Sequence, residues 1–251
     1  MKISNNLKQG SKEWLKFRET GLGASDAPII MGESPWKTPF ELWAEKTKLL
    51  KPEEPHIMAA VAMKRGTDLE PKARELYIQQ TGKKVSIPNV EHPVYPFIRA
   101  SLDGLSEDGL VILEIKTPGK ADLIEASKGK VPKKYYWQLM QQLLLVPKAT
   151  HLDYVTFDGK ETIYITKVER NKKDEEKLLK ALLHFWTLVE KKVPPPVNYD
   201  DMTRVITRLA KDHEKVIASM NALTVIHNCL MQGTSEVDED GFINVSSKGD
   251  K

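Results

Sequence analysis

This chain has one cysteine, Cys229, only 7% aromatic residues and no apolar run long enough to span a bilayer. A lone thiol cannot build a disulfide framework or a cysteine zinc cluster within one chain, and such sparing use fits a reducing, cytoplasmic setting. The longest apolar stretches fall well short of the roughly 20 residues a membrane helix needs, so no membrane association is expected. The amino terminus shows no signal-peptide hydrophobic region, and no internal repeat is evident. Net charge is also small, +3 at neutral pH, but it is unevenly spread. Residues 232–251 hold five acids against two lysines, a net −3 that leaves +6 on the rest. That mild basic excess permits nucleic-acid binding without demonstrating it.

With 251 residues, 40% of them apolar, the chain suits one large globular domain or one domain with an appendage. Trp14–Arg18 reads as a short amphipathic helix. Gly21-Leu22-Gly23-Ala24-Ser25-Asp26 follows, a glycine-containing turn into a helix over Ala27–Met31 that Ser25 or Asp26 could cap. A helix start with a serine hydroxyl and small neighbours is either a plain capped turn, with Arg18 at the surface, or a phosphate seat that Arg18 completes. Thr38-Pro39-Phe40-Glu41 is a capping box with proline at N1, opening a helix to about Lys48. After a loop at 51–56, a long helix spans about Ala59–Thr81 and stops at Gly82. Its apolar stripe is Leu69, Ala73, Leu76 and Tyr77; Glu70 sits beside it, as a solvated carboxylate or as one drawn to a site.

Three strands are expected next, about Val85–Val90, Phe97–Leu102 and Leu110–Lys116, as a meander with a hairpin turn at Glu107-Asp108-Gly109. Residues 119–131, rich in lysine and interrupted by glycine, read as a mobile loop. Pro132 opens a helix through Val146 on which Tyr135, Leu139 and Leu143 pack, while Gln138, Gln141 and Gln142 are either surface or turned to polar ground. His151–Phe157 and Thr162–Val168 alternate as a hairpin around Asp158-Gly159, and Lys172–Lys191 is an amphipathic helix. The triple proline at Pro194-Pro195-Pro196 marks a boundary, dividing the chain into 1–197 and 198–251. Beyond it Met202, Ile206, Leu209, His213, Val216, Met220, Leu223, His227 and Leu230 recur at spacings of three and four, a coiled-coil-like seam on which the histidines are packing residues. The last twenty residues read as a flexible acidic tail in which Gly241–Val245 could add a short strand.

The chemistry concentrates at Ser101-Leu102-Asp103-Gly104 and Leu113-Glu114-Ile115-Lys116. Alternation along a strand puts Glu114 and Lys116 on one face and Ile115 on the other. Antiparallel pairing of the two strands would bring Asp103 beside them. Two carboxylates and an amine make a poor core but a good cradle for a hard divalent cation and a water. Magnesium keeps several waters and needs only two or three protein oxygens, which Asp103, Glu114 and the Ile115 carbonyl can supply. Lys116 would then position the attacking water, help deprotonate it or stabilise developing charge. Glu70 could add a carboxylate for a second metal or hold a metal-bound water, and Gln138 could orient the nucleophile. An Asp near a Glu-X-Lys also recurs by chance in many chains.

The full set is more specific. Gly66-Thr67-Asp68-Leu69-Glu70, Ser101-Leu102-Asp103-Gly104, Glu114-Ile115-Lys116-Thr117-Pro118 and Tyr136-Trp137-Gln138, preceded by Trp14-Leu15-Lys16-Phe17-Arg18, Gly23-Ala24-Ser25-Asp26 and Ser34-Pro35, stand in a distinctive order and spacing. In that order the chain, from about Lys12 to Pro196, resembles the phage-type recombination exonucleases, the YqaJ-like and lambda-exonuclease-like branch of the PD-(D/E)XK nucleases. Leu102 stands where the superfamily signature has proline, a variation usual in this branch. The resemblance implies an α+β (α/β/α) fold, a central mixed β-sheet flanked by helices, with a nuclease domain at 1–197 and a C-terminal amphipathic helix and tail at 198–251. It also implies a 5′-to-3′ exonuclease that binds a double-stranded DNA end, releases mononucleotides and leaves a 3′ overhang. On that model Asp103, Glu114 and the Ile115 carbonyl bind Mg2+, or Mn2+ in its place, with Glu70 close by. Lys116 and Gln138 act on the attacking water, and Arg18 and Ser25 hold the terminal 5′-phosphate. The implied assembly is a homo-oligomeric ring, a trimer in the lambda-type enzymes, and the implied partner is a single-strand-annealing recombinase. Other readings are a restriction-type or structure-specific endonuclease of the same fold, which the lack of an added recognition domain disfavours, and a catalytically silent end-binding module.

Overall fold

The computed structural model describes residues 2–4, 7, 9–52, 54–211 and 216–232. In chain order these form β1 (Lys2–Ser4), α1 (Lys12–Glu19), a 3-10 turn (Ala24–Asp26), α2 (Ala27–Ile30), α3 (Pro39–Lys46) and α4 (Ile57–Thr81). Then come β2 (Val85–Ser86), β3 (Asn89–Glu91), β4 (Arg99–Ser101), β5 (Gly104–Ser106) and β6 (Val111–Lys116). The rest are α5 (Lys120–Ser127), α6 (Lys133–Leu145), β7 (His151–Phe157), β8 (Ile163–Glu169), α7 (Lys172–Lys191), α8 (Tyr199–Lys211) and α9 (Val216–Gln232). The fold is α+β, as expected. The described residues fall into two compact units: one from Met1–Glu33 and Glu53–Leu182, the other from Ser34–Pro52 and the residues from Leu183 onward.

The first unit holds two sheets, one of three strands ordered β1-β3-β4 and one of five ordered β2-β5-β6-β7-β8. In the larger sheet only β6 and β7 run parallel, and α5 and α6 lie in the crossover between them. On one face α4 lays Ala73 and Tyr77 against Leu113, Ile115, Val155 and Phe157. The Tyr77 hydroxyl donates to buried Asp153 at 2.7 Å, so the one polar atom it brings inside is satisfied. On the other face α6 covers the residues of opposite parity. The expected stop of α4 at Gly82 is present: its φ is +70° and its N–H closes on the Ile78 carbonyl at 2.8 Å. Asp158-Gly159 likewise turns β7 into β8, with φ +83° at the glycine.

Several expectations are corrected. Phe97–Leu102 does not pair with Leu110–Lys116; β4 pairs with β3, and the partner of β6 is β5, in register Gly104↔Leu113 and Leu105↔Ile112. Gly104, the first residue of β5, lies at a close approach, where a Cβ would come within 3.0 Å of Leu113 Cβ and 3.2 Å of Val85 Cβ. The Val85–Val90 strand is split at Ile87-Pro88, because proline cannot donate to a ladder. The lysine-rich stretch at 119–131 is not a loop throughout: Lys120–Ser127 is helical, since Ala121, Leu123, Ile124 and Ala126 tolerate a helix whatever the flanking charge.

In the second unit the Thr38/Glu41 capping box forms, with Glu41 N–H to Thr38 Oγ1 at 3.2 Å and Thr38 N–H to Glu41 Oε2 at 3.0 Å. The Thr38 hydroxyl donates to buried Asp201 at 2.5 Å, and the Trp43 indole to the Leu188 carbonyl at 3.2 Å. The expected continuous seam is two helices, α8 and α9, packed on each other, and its phase is different. Val205, Ala222 and Ile226 are buried while Ile206, Met220 and His227 are exposed, because the inward stripe is set by the helix partner rather than by spacing alone. His213, the acidic tail and Gly241–Val245 lie outside the described residues.

In the first unit the segment after α1 is held to β4 by a short bridge. Leu22 N–H donates to the Phe97 carbonyl at 2.6 Å, and Arg99 N–H to the Leu22 carbonyl at 3.0 Å. Arg99 is buried, donates to the Phe17 carbonyl at 2.5 Å and to Thr20 Oγ1 at 3.2 Å, and lies 4.5 Å from the centre of the Phe17 ring. A methyl group on Gly21 would collide with Arg99 Nε and the Phe97 carbonyl. Gly21→Ala should destabilise the fold by about 1–3 kcal/mol and lower Tm by several degrees. An unchanged thermal unfolding curve would show that this bridge can give way without cost.

Candidate active site

The site starts on β6. Ile115 faces the α4 core, so Glu114 and Lys116 face the other way, beneath α6. Glu114 is only 2% exposed, and a carboxylate so buried requires partners for both oxygens. Oε1 pairs with the Lys116 ammonium and accepts from Gln138 Nε2 at 2.5 Å; Oε2 accepts from Gln142 Nε2 at 2.5 Å. Gln138 and Gln142 are four apart on α6, the spacing that puts two side chains on one face. Gln141, also buried, donates to the Leu22 and Arg99 carbonyls at 2.9 and 3.1 Å. None of the three is idle surface.

Asp103 reaches the same place by a route other than the expected pairing. It lies between β4 and β5, where the chain leaves the smaller sheet and enters the larger, and its Oδ2 accepts the Ile115 N–H at 2.7 Å. A strand residue presents its N–H and C=O to the same side, so the Ile115 carbonyl also faces Asp103, beyond the last pair of β5 on β6. Glu70 arrives from α4, paired with Arg74, whose Nε donates to the Asp103 carbonyl at 2.8 Å. Burial, then the neighbouring charges of Glu114 and Glu70, push the Asp103 carboxyl well above the ordinary range, against the pull of Lys116 and the Ile115 N–H. For Lys116 burial works against the charge, but Glu114 and Asp103 outweigh it and hold the group above its ordinary pKa, as an ammonium. Its Nζ is 5.4 Å from the centre of the Tyr135 ring.

Arg18 and Ser25, the pair expected to seat a phosphate, meet across the same cleft. Ser11 caps α1 by accepting the Trp14 N–H at 3.2 Å, and one turn on, Arg18 Nη2 donates to Ser25 Oγ at 3.1 Å. The guanidinium stacks 4.9 Å from the centre of the Trp14 ring, whose indole N–H donates to Ser101 Oγ at 2.9 Å. Neither Ser25 nor Asp26 caps α2: Ser25 accepts from Arg18, and the Asp26 carboxylate accepts the Gly23 N–H at 3.0 Å. Arg18, Ser25, Glu70, Asp103, Glu114, Lys116 and Gln138 all line one cleft of about 230 Å³. The seven side chains picked out in the sequence are thus brought together. Arg74 belongs to no motif singled out in the sequence, and Trp14 and Ser101 enter only as members of motifs, with no role assigned. Arg74 carried a signal, standing one helical turn after Glu70; Ser101 carried only its place two residues before Asp103. Among the described residues no group of three or more His, Cys, Asp or Glu is placed to hold a metal ion. The carboxylates that line the cleft are Asp103, Glu114 and Glu70, each with partners: Asp103 with the Ile115 N–H, Glu114 with Lys116, Gln138 and Gln142, and Glu70 with Arg74.

The uncharacterized protein YqaJ of Bacillus subtilis (strain 168) is 32% identical over 187 residues, which is 73% of this chain but 58% of that protein's length. An alkaline exonuclease from Laribacter hongkongensis has a similar structure, with a TM-score of 0.62 and 25% identity over 79% of this chain and 100% of that one. The same enzyme in complex with dAMP gives a TM-score of 0.63 at the same identity and coverage. Residues 13–150, which contain every side chain lining the Arg18-to-Gln138 cleft named above, match the model of the YqaJ-like viral recombinase domain. The chain belongs to the YqaJ-like viral recombinase domain family.

Proposed function

We propose that this protein is a Mg2+-dependent 5′-to-3′ exonuclease that degrades one strand of linear double-stranded DNA to mononucleotides and leaves 3′ overhangs. The observation that carries the reading is the shared cleft: a cation for a terminal phosphate, Arg18 with Ser25, opens on the same space as Asp103, Glu114 and Lys116. An enzyme that anchors a 5′-phosphate beside a hydrolytic centre cuts from that end. The neighbouring exonuclease's complex with dAMP supports a mononucleotide as product.

The donor set fits magnesium. Asp103, Glu114 and the Ile115 carbonyl are hard oxygen ligands, and an ion that keeps several waters needs no more than these. Burial, then the Glu114 and Glu70 charges, raises the Asp103 pKa, and a divalent cation would offset the part those charges contribute. Asp103, Glu114 and the Ile115 carbonyl would hold the ion, with Glu70 as a second-site or water-mediated ligand; Mn2+ would substitute. Bound there, the ion would supply Lewis-acid polarisation and charge neutralisation at the scissile phosphate.

The protein's own groups do the rest. Lys116, kept as an ammonium, donates to the attacking water or a phosphate oxygen and stabilises the charge that builds on phosphorus–oxygen bonds in the transition state. Gln138, anchored on Glu114, presents its amide to orient the water. Arg18 offers a planar fork to the 5′-phosphate, which Ser25 completes with a hydroxyl. The proposal extends to a homo-oligomeric ring, a trimer, that encloses the duplex, and to a single-strand-annealing protein that loads on the exposed strand.

Timed digestion of end-labelled linear duplex should yield mononucleotides and a growing 3′ overhang with Mg2+, stop with chelator, and spare covalently closed circles; intact 5′-phosphorylated linear DNA after incubation with Mg2+ would end the exonuclease reading. Lys116→Ala should lower kcat by about 100- to 1000-fold while end binding, read by gel shift, persists; joint loss of binding would make the lysine structural. Arg18→Ala should slow digestion of 5′-phosphorylated ends by about tenfold or more, with a smaller effect on 5′-hydroxyl ends. Equal losses on both would remove Arg18 from the phosphate seat.

A further inference from the structure

One cation beside the site takes no part in the chemistry proposed for it. Arg74 follows Glu70 by one turn of α4, and its side chain is 12% exposed. The guanidinium has two partners with different roles: Nη2 pairs with the Glu70 carboxylate, and Nε donates to the Asp103 backbone carbonyl at 2.8 Å. A planar fork can bind both at once with its geometry fixed, which a lysine cannot do.

The position of the second partner gives Arg74 its importance. β4 ends at Ser101 and β5 begins at Gly104, each paired in a different sheet. The β3–β4 register stops at Ser101 and the β5–β6 register starts at Gly104, so neither ladder reaches Asp103. Its backbone carbonyl is taken by Arg74 and its carboxylate by the Ile115 N–H. Those two bonds, one from α4 and one from β6, stand in for the missing ladder and set the direction of the carboxylate. The same guanidinium holds Glu70 at a fixed place beside it. A residue gripping both the backbone of one oxygen ligand and the side chain of a nearby carboxylate governs their separation.

We propose that Arg74 is a positioning residue that preorganises the cation-binding carboxylates by tying the Asp103 backbone to Glu70. The inference rests on the metal-dependent reading of the site. Partners that orient ligands typically contribute about 10- to 100-fold in metal affinity.

The test is titration of Mn2+ into metal-free wild type, Arg74→Ala and Arg74→Lys, followed by calorimetry, with circular dichroism and thermal unfolding alongside. Arg74→Ala should bind Mn2+ about 10- to 100-fold more weakly and need correspondingly more Mg2+ for half-maximal digestion, with saturating Mg2+ restoring most of kcat. Arg74→Lys, able to hold Glu70 but not both acceptors, should fall between. An arginine that only supports the fold would lower Tm and leave the Mn2+ affinity of the folded protein unchanged, and that result would overturn the proposal. Should Arg74→Ala fail to fold, Arg74→Lys decides: weakened binding in a folded variant supports the proposal, and wild-type affinity overturns it. Wild type that binds no Mn2+ would overturn the metal reading and this proposal together, whereas binding equal in all folded forms would overturn this proposal alone.

Discussion

A carboxylate buried in the middle of a sheet face is the constraint on which this structure turns. Glu114 sits between core residues of β6, where an uncompensated charge would cost several kcal/mol. Its compensation comes from Lys116 on the same strand and from Gln138 and Gln142 on the crossover helix. The need to satisfy one oxygen pair therefore dictates which face of α6 turns inward and how far along β6 it lies. Leu139 and Leu143, on the same helix, are fully buried, so the polar anchor and the apolar packing agree.

A second structural problem is the passage of the chain from one sheet to the other. At Asp103 the backbone is paired in neither ladder; Arg74 takes its carbonyl, and its carboxylate accepts the Ile115 N–H. Arginines recur in such places. Arg99 ties β4 to the end of α1 through the Phe17 and Pro96 carbonyls, and Arg170 caps the end of α6 through the Val146 and Ala149 carbonyls while pairing with buried Glu175. Each collects carbonyls that no regular element satisfies, which is what a fork of five donors does well. The cleft is lined by Arg99 and by Asp103 at the passage between the sheets, together with Glu114 and Lys116 of the central strand β6.

Much of the site could be read before the fold was known, though for uneven reasons. Glu114 and Lys116 follow from alternation, and the Thr38/Glu41 box and the Gly82 stop from local backbone chemistry. Alternation and antiparallel pairing bring Asp103 beside them on paper through a ladder the fold does not make, because β5 is only three residues long and Asp103 lies outside both registers. Gln138 and Glu70 had no local signal above that of surface residues and stood out only through family resemblance. Gln142 was one of three equivalent glutamines until α6 docked. The phase of the α8–α9 stripe differs from the one that spacing predicts because two helices that face each other choose their inward side together, and spacing within one helix leaves that choice open.

The sequence by itself determined whatever depends on neighbours along the chain: which residues share a strand face, where helices start and stop, and that one thiol in 251 residues excludes a disulfide frame. Only the tertiary structure decided that Arg18 and Ser25 share a cleft with Asp103, more than seventy residues further along the chain. That proximity arises because Trp14 bonds to Ser101 and Arg99 grips the end of α1, contacts made across the fold. Periodicity is a property of a segment and can be read from it. Distance between segments is set by docking, which depends on every surface that must be buried at once.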